Sequence, residues 1–422
     1  MTERVARVDR LHISYSEVEA LAREVGHAFY LIDLNRIQDN YNALLHAFRK
    51  RYADTVLAYS VKTNYTPCIL SHLRELGARA EVVSELEYEM ALRAGYREDD
   101  ILVSGPLHEE AFLKHIFLQG VHINLDGWYM LETLDRVSRA YPERRFRVGI
   151  RLSYALPDTD WTRFGFDTSE AEISRLNNWF QHHGNCELVG LHSHFPLAPS
   201  HPEFFRERIT GLIQAGSQFP DARLEYLDLG GGMHRSTSDA LFDNLADTVA
   251  HVLETHDHRG KRPTLFIEPG HAIVDDAIAF VCRVYDVKQR AGRTLALING
   301  SNHSINTMMW HDQFKIDLLR ASGVENQPPS GEVFSIVGNT CMERKDLICE
   351  SIPGLAAPGD YIVFSHVGAY SNVIKPPFIH TCPAMLARRD GQYKVVKRPE
   401  TVDDILQTYH ESVMTPSAPT LS

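Results

Sequence analysis

No stretch of the 422-residue chain stays apolar for the length that a membrane crossing requires, and the opening residues Met1-Thr2-Glu3-Arg4-Val5-Ala6-Arg7 are charged where a secretory leader would be hydrophobic. The expected location is the cytoplasm, with no membrane partner. Basic charge is also short: 43 Lys and Arg against 55 Asp and Glu leave a net charge of -12, the wrong sign for a nucleic-acid partner. Cysteine is sparse. Cys68, Cys186, Cys282, Cys341, Cys349 and Cys382 contain no CxxC pair, which excludes a zinc-ribbon framework and suits a reducing compartment. Repeats at solenoid periods are missing too. What is there is a globular chain, 44% hydrophobic, long enough for one large core and one smaller one.

From residue 28 to 275, short β-branched runs alternate with amphipathic helical stretches, the pattern of βα units. Strands are expected at 29–34, 56–62, 80–83, 101–104, 122–126, 146–152, 188–195, 226–229 and 265–268. That number favours a closed (β/α)₈ TIM barrel over an open sheet. Ile37, Tyr41, Leu44, Leu45 and Phe48 mark one face of a helix, and Ser84-Glu85-Leu86-Glu87 reads as a capping box opening another. Beyond 275 the chain turns to strands without long helices between them, including a hairpin at Asp390-Gly391. The expected organisation is a barrel at 28–275 and a β-rich C-terminal domain of 276–422 joined by 1–27, with a frayed tail near 414–420.

Residues at the carboxyl ends of barrel strands surround one pocket. Lys62 ends the run Val56-Leu57-Ala58-Tyr59-Ser60-Val61, where it is either a surface lysine closing a strand or a Schiff-base lysine made easier to deprotonate by its withdrawal from water. Arg151, the His192-Ser193-His194 segment, Gly230-Gly231-Gly232 and Glu268-Pro269-Gly270-His271 fall at other strand ends. The triple glycine is a tight turn or an anion nest. The two histidines invite a zinc reading, but no further ligands stand at convincing strand ends, so no metal is expected and one imidazole lying flat on an aromatic ring is the better use. Glu268 closes an apolar strand, a costly place for a charge, and is either in a salt bridge or paired with a basic ring nitrogen.

Seven segments then occur in a familiar order: Tyr59-Ser60-Val61-Lys62-Thr63-Asn64, Arg163-Phe164-Gly165, His192-Ser193-His194, Leu227-Asp228-Leu229-Gly230-Gly231-Gly232, Glu268-Pro269-Gly270, Gly338-Asn339-Thr340-Cys341 and Gly368-Ala369-Tyr370. Across nearly the whole chain this resembles the fold-type III pyridoxal-phosphate decarboxylases, the group of diaminopimelate, ornithine and arginine decarboxylases and their siderophore-pathway relatives. The resemblance implies an alanine-racemase-like barrel with a β domain, acting on an amino acid as a homodimer with shared active sites. It further implies that Lys62 carries pyridoxal 5'-phosphate, that His194 stacks on its ring and Glu268 meets its ring nitrogen. Gly230, Gly231, Gly232 and Tyr370 would hold the phosphate, with Gly270 and His271 beside them. Cys341 of the partner chain would supply the proton that replaces the departing carboxylate, and Arg151, Met342, Glu343 and Asp346 would face the substrate.

Three positions depart from the family pattern. Phe195-Pro196-Leu197 follows His194 where a Gly-Ser pair is usual, leaving Ser200 as the nearest hydroxyl. His271 replaces an arginine that binds phosphate or a substrate carboxylate, and histidine cannot make the bidentate fork. Met342 replaces the acid that receives a distal ammonium, with Glu343 and Asp346 as the nearby acids. These changes point to a conjugated or less cationic substrate, as in siderophore or other secondary metabolism. Two other classes share the pattern in part: a racemase, which needs a second base in place of the cysteine segment, and a regulatory homologue that has lost catalysis.

Overall fold

The computed structural model describes residues 11–157, 162–195, 201–233, 239–256, 262–305, 314–323, 331–374 and 377–409. Pro196, Leu197, Ser200 and the expected tail at 414–420 lie outside the described residues. The chain divides into two compact units, one of Leu34–Ala277 with Gly368–Val373, the other of Met1–Asp33, Ile278–Val367 and Ile374–Ser422.

In the first unit eight strands pair side by side in parallel: Thr55–Ser60, Arg79–Val82, Ile101–Val103, His122–Leu125, Phe146–Ser153, Cys186–His192, Tyr226–Asp228 and Thr264–Ile267. The last pairs back onto the first, which closes the barrel and leaves no edge. The intervening helices bury one stripe each; in Leu34–Arg49 that stripe includes Ile37, Tyr41, Leu44 and Phe48 of the expected face, with Leu45 half-buried at its margin. Ser84 Oγ accepts the Glu87 N–H at 3.3 Å and so caps the helix Glu85–Arg93. The Glu87 carboxylate reaches past the cap to the Val83 N–H at 2.8 Å, so the expected reciprocal box opens by one residue.

The barrel interior carries a polar column. A Cβ at Gly149 would lie 2.1 Å from Tyr226 Oη and one at Gly190 1.9 Å from its Cζ, so these two glycines make room for the ring. Tyr226 Oη donates to Asn124 Oδ1 at 2.8 Å, and Asn124 Nδ2 donates to Asp228 Oδ2 at 3.0 Å. Each buried polar group thereby finds its partner, and the column leads toward the carboxyl ends of the strands.

The second unit is a mixed sheet in the order Leu347–Pro353, Val333–Val337, Arg293–Ile298, Ile278–Arg290, Ala28–Asp33, Ala384–Arg389, Gln392–Lys397, with Tyr361–Ser365 joining Ile278–Arg290 to Lys315–Leu319. Two expectations change here. The run at 29–34 is not a barrel strand: Ala28–Asp33 pairs antiparallel with Ile278–Arg290 and parallel with Ala384–Arg389. An apolar strand covered on both faces reads the same in either kind of sheet. The barrel unit accordingly begins at Leu34, and Gly368–Val373 returns to it from the β-rich half of the sequence. The hairpin stands at Asp390 and Gly391, whose φ of 52° and 77° suit a two-residue turn of the primed type.

Candidate active site

Lys62 leaves the barrel from a single 3₁₀ turn, Val61–Thr63, that follows the strand Thr55–Ser60. The turn is tied to the returning segment: Asn64 Nδ2 donates to the Gly368 carbonyl at 2.9 Å and to Asn372 Oδ1 at 2.8 Å, and the Tyr370 N–H donates to the Thr63 carbonyl at 3.0 Å. Gly368 has to be glycine, because a Cβ there would lie 1.8 Å from the Val274 carbonyl oxygen. Tyr370, at a left-handed φ of 62°, is thus held beside the turn that carries Lys62.

Lys62 Nζ donates to Glu81 Oε2 at 2.5 Å, with the Glu81 side chain 1% exposed. Burial alone would lower the lysine's pKa, but the charges of Glu81 and Glu268 outweigh it and raise the pKa above the ordinary value. The expectation of a lysine eased toward deprotonation by burial is therefore reversed: two carboxylates hold it charged. Burial in turn pushes Glu81 up to about 7 against the pull of Lys62, still well below the lysine, so the proton of the pair stays on Lys62.

Beneath Lys62 the strand ends bring His192, Asp228 and Glu268 together, all fully buried, with one ligating atom of each within 4.8 Å of the others. His192 Nε2 stands 3.7 Å from Glu268 Oε2. Burial would raise the Glu268 pKa, but His192 and Lys62 draw it below the usual carboxylate range, so Glu268 is ionised. Burial and the neighbouring Glu268 charge raise the Asp228 pKa well above that range. Its oxygens accept the Gly230 N–H at 2.8 Å and the Asn124 amide at 3.0 Å. Glu268 Oε1 is buried with no hydrogen-bond partner among the described residues.

His194 sits above this floor. Its Nδ1 accepts the Gly231 N–H at 3.1 Å, and burial, helped by Arg151 and Arg208, lowers its pKa well below the ordinary value, so the ring is neutral. Arg151, expected to face substrate, is buried instead: it donates to the His194 carbonyl at 3.0 Å, lies 3.5 Å from Asp126 and stacks over Phe164. It is a strut under the His194 loop. A Cβ at Gly231 would lie 2.6 Å from the Glu268 carbonyl oxygen, so a side chain there would have to displace the run, and Gly270 is similarly constrained by Thr63 Oγ1 at 2.0 Å. Within the glycine run the Gly230 amide is engaged with Asp228 and the Gly231 amide with His194. His271 Nε2 lies 3.5 Å from Asp275 Oδ1.

In the β unit, Cys341 is exposed on a loop built around Asp346. Asp346 is 4% exposed; its Oδ1 accepts the Asn302 N–H at 3.1 Å and its Oδ2 the Thr340 N–H at 2.9 Å together with the Thr340 hydroxyl. A Cβ at Gly338 would lie 2.8 Å from the Asp346 carboxyl carbon, which accounts for the glycine of the Gly338-Asn339-Thr340-Cys341 segment. Asp346 therefore orders the loop from inside and is not placed to receive a substrate ammonium. Glu343 is exposed, and Met342 Sδ stands 3.3 Å from His303 Nε2.

Residues 38–275 match the family model described as "Pyridoxal-dependent decarboxylase, pyridoxal binding domain". The chain belongs to this family. The pyridoxal-dependent decarboxylase is 27% identical over 419 residues to the diaminopimelate decarboxylase of Methanothermobacter thermautotrophicus, covering 94% of this chain and 96% of that relative. It is 23% identical over 435 residues to the L-glutamyl-[BtrI acyl-carrier protein] decarboxylase of Niallia circulans, covering 94% and 97%. Among solved structures, the diaminopimelate decarboxylase of M. jannaschii in complex with L-lysine superposes with a TM-score of 0.83 at 19% identity over 96% of each chain. The arginine decarboxylase of Paramecium bursaria Chlorella virus gives 0.72 at 20% identity over 86% and 97%. The fold is alanine-racemase-like, an eight-stranded parallel barrel with a mixed β-sheet domain. The decarboxylase's buried floor fits pyridoxal phosphate: the ionised Glu268 has an oxygen without a partner, and a protonated ring nitrogen is the group that would satisfy it.

Sequence reasoning missed Glu81, Arg208 and the column of Asn124 and Tyr226. Arg208 carried a signal, since it shares the stripe of Phe204, Phe205, Ile209 and Leu212, all buried in the helix Pro202–Gly216. Glu81 carried only its position inside a short apolar strand.

Proposed function

We propose that this decarboxylase acts on an amino acid whose distal end carries less positive charge than diaminopimelate or ornithine, and that a conjugated amino acid is the natural substrate class. The observation that carries this reading is Met342 directly after Cys341, combined with the inward commitment of Asp346, which leaves exposed Glu343 as the acid of that loop. A distal ammonium would meet a thioether there rather than a carboxylate. The similarity to an acyl-carrier-protein-linked glutamyl decarboxylase supports a tethered substrate. The names of the relatives given above lend no support to a siderophore role, and the proposal leaves that assignment aside.

In this reading Lys62 would carry the cofactor, and the Glu81 carboxylate holds and orients its side chain. Neutral His194 would stack on the ring, ionised Glu268 would hold the ring nitrogen protonated, and Gly230, Gly231, Gly232, Gly270, His271 and Tyr370 would hold the phosphate. Bound pyridoxal phosphate supplies the electron sink for loss of carbon dioxide. The exposed thiol of Cys341 delivers the replacing proton to the site of a second copy, so the working form is a homodimer. Carbon dioxide release should be measured on diaminopimelate, ornithine, arginine and their N-acyl or carrier-linked counterparts. Faster release from the conjugates supports the proposal; rapid release from diaminopimelate with inert conjugates overturns it.

A further inference from the structure

We propose that Arg208 is a positioning residue for the phosphate end of the site: from the helix Pro202–Gly216 it fixes the glycine run and the His194 loop from below and lends them a permanent positive charge. The inference rests on the reading, given above, that Gly230-Gly231-Gly232 binds the phosphate.

Arg208 is 0% exposed. One terminal nitrogen donates to the Gly231 carbonyl at 3.0 Å, the other to the Ser193 carbonyl at 3.3 Å, and the guanidinium lies 5.0 Å from the Phe205 ring centre. In a trans peptide the carbonyl and the following N–H point to opposite sides. By holding the Gly231 carbonyl, Arg208 turns the Gly232 N–H away from itself; by holding the Ser193 carbonyl, it does the same for His194. A Cβ at Gly232 would lie 3.7 Å from the guanidinium, so the charge sits directly beneath the run.

Among the described residues no carboxylate forms an ion pair with Arg208, and its Nε has no hydrogen-bond partner. Burial lowers its pKa to about 10, which leaves it charged at neutral pH. A buried guanidinium hydrogen-bonded only through two carbonyls is costly, and the Glu268 charge, which eases that cost, makes no ion pair with it among the described residues. A phosphate dianion on the far side of the glycine run answers that charge. The need is local to this chain, since His271 stands where an arginine is usual and lies 3.5 Å from Asp275.

The test compares dissociation constants for pyridoxal phosphate and for pyridoxal, which lacks the phosphate, in the full-length wild type, Arg208→Gln, Arg208→Lys and Gly231→Ala. The ratio of the two constants isolates the phosphate contribution. Arg208→Gln should lower the preference for the phosphorylated form about tenfold and Arg208→Lys, which keeps the charge, about threefold, while pyridoxal binding changes little. The lysine variant keeps the test alive where glutamine prevents folding. An unchanged ratio in the Arg208 variants, or an equal loss for both ligands, overturns the proposal. If Gly231→Ala also leaves the ratio unchanged, the glycine-run reading has failed with it; if Gly231→Ala alone collapses the ratio, only the role of Arg208 has failed.

Discussion

Replacing Glu81 by glutamine should make Lys62 reactive at lower pH. The exchange keeps the shape of the side chain and an acceptor for Lys62 Nζ, now 2.5 Å from Glu81 Oε2, but removes the charge. Two unit charges about 4 Å apart interact with about 4 kcal/mol at an effective dielectric near 20. The Lys62 side chain is 31% exposed, and allowing for screening by solvent we halve that figure to about 2 kcal/mol. The sign follows from the partners: Glu81 and Glu268 raise the lysine's pKa against burial, so deleting one of them lowers it. Glu81, at about 7, is ionised throughout the alkaline range in which a lysine titrates, so the pull operates where it matters. At 1.4 kcal/mol per pH unit, the pH of half-maximal capture of pyridoxal phosphate should fall by about 1.5 units. The assay follows the visible absorbance of the protein-bound cofactor at a series of pH values. A Glu81→Gln profile that coincides with the wild type, or moves to higher pH, refutes the electrostatic argument.

Glu268→Gln should retain cofactor absorbance and lose about a hundredfold in turnover, because glutamine cannot hold a ring nitrogen protonated; an unchanged rate of carbon dioxide release would remove Glu268 from the chemistry. Mixing inactive Lys62→Ala with inactive Cys341→Ala should restore activity to about a quarter of wild type if sites are shared between two copies, and restore none if each chain is self-sufficient. Met342→Glu should raise kcat/KM for diaminopimelate about tenfold, and no gain would deny that this position sets the charge preference. Asp346→Ala, which frees the Asn302 and Thr340 amides, should cost about 1–3 kcal/mol in thermal or denaturant unfolding without altering the order of substrates, whereas a changed order with unchanged stability would return Asp346 to the substrate.

The site was legible where the barrel itself does the collecting. Lys62, His194, the glycine run and Glu268 all stand at strand ends, and a closed parallel barrel brings such ends to one mouth whatever their separation in sequence. The residues that set their charge were not legible. Glu81 lies in a four-residue strand, too short for alternation to say which way it faces, and its effect on Lys62 depends on a distance. Arg151 and Asp346 have the chemistry of substrate ligands, yet their burial commits them to the His194 loop and the cysteine loop. Ala28–Asp33 shows the same limit at the level of the fold: its composition marks a buried strand but not the sheet to which it belongs. Lys315–Leu319 and Leu347–Pro353 escaped notice because half-exposed strands lack a clean period of two.

The central claim is that Lys62 carries the cofactor. Holoprotein should be reduced with borohydride, digested and mapped by mass spectrometry. The account predicts one pyridoxyl-phosphate label per chain, on the peptide containing Lys62, with label and visible absorbance both absent in Lys62→Ala. A label on another lysine, or absorbance that survives Lys62→Ala, would contradict it.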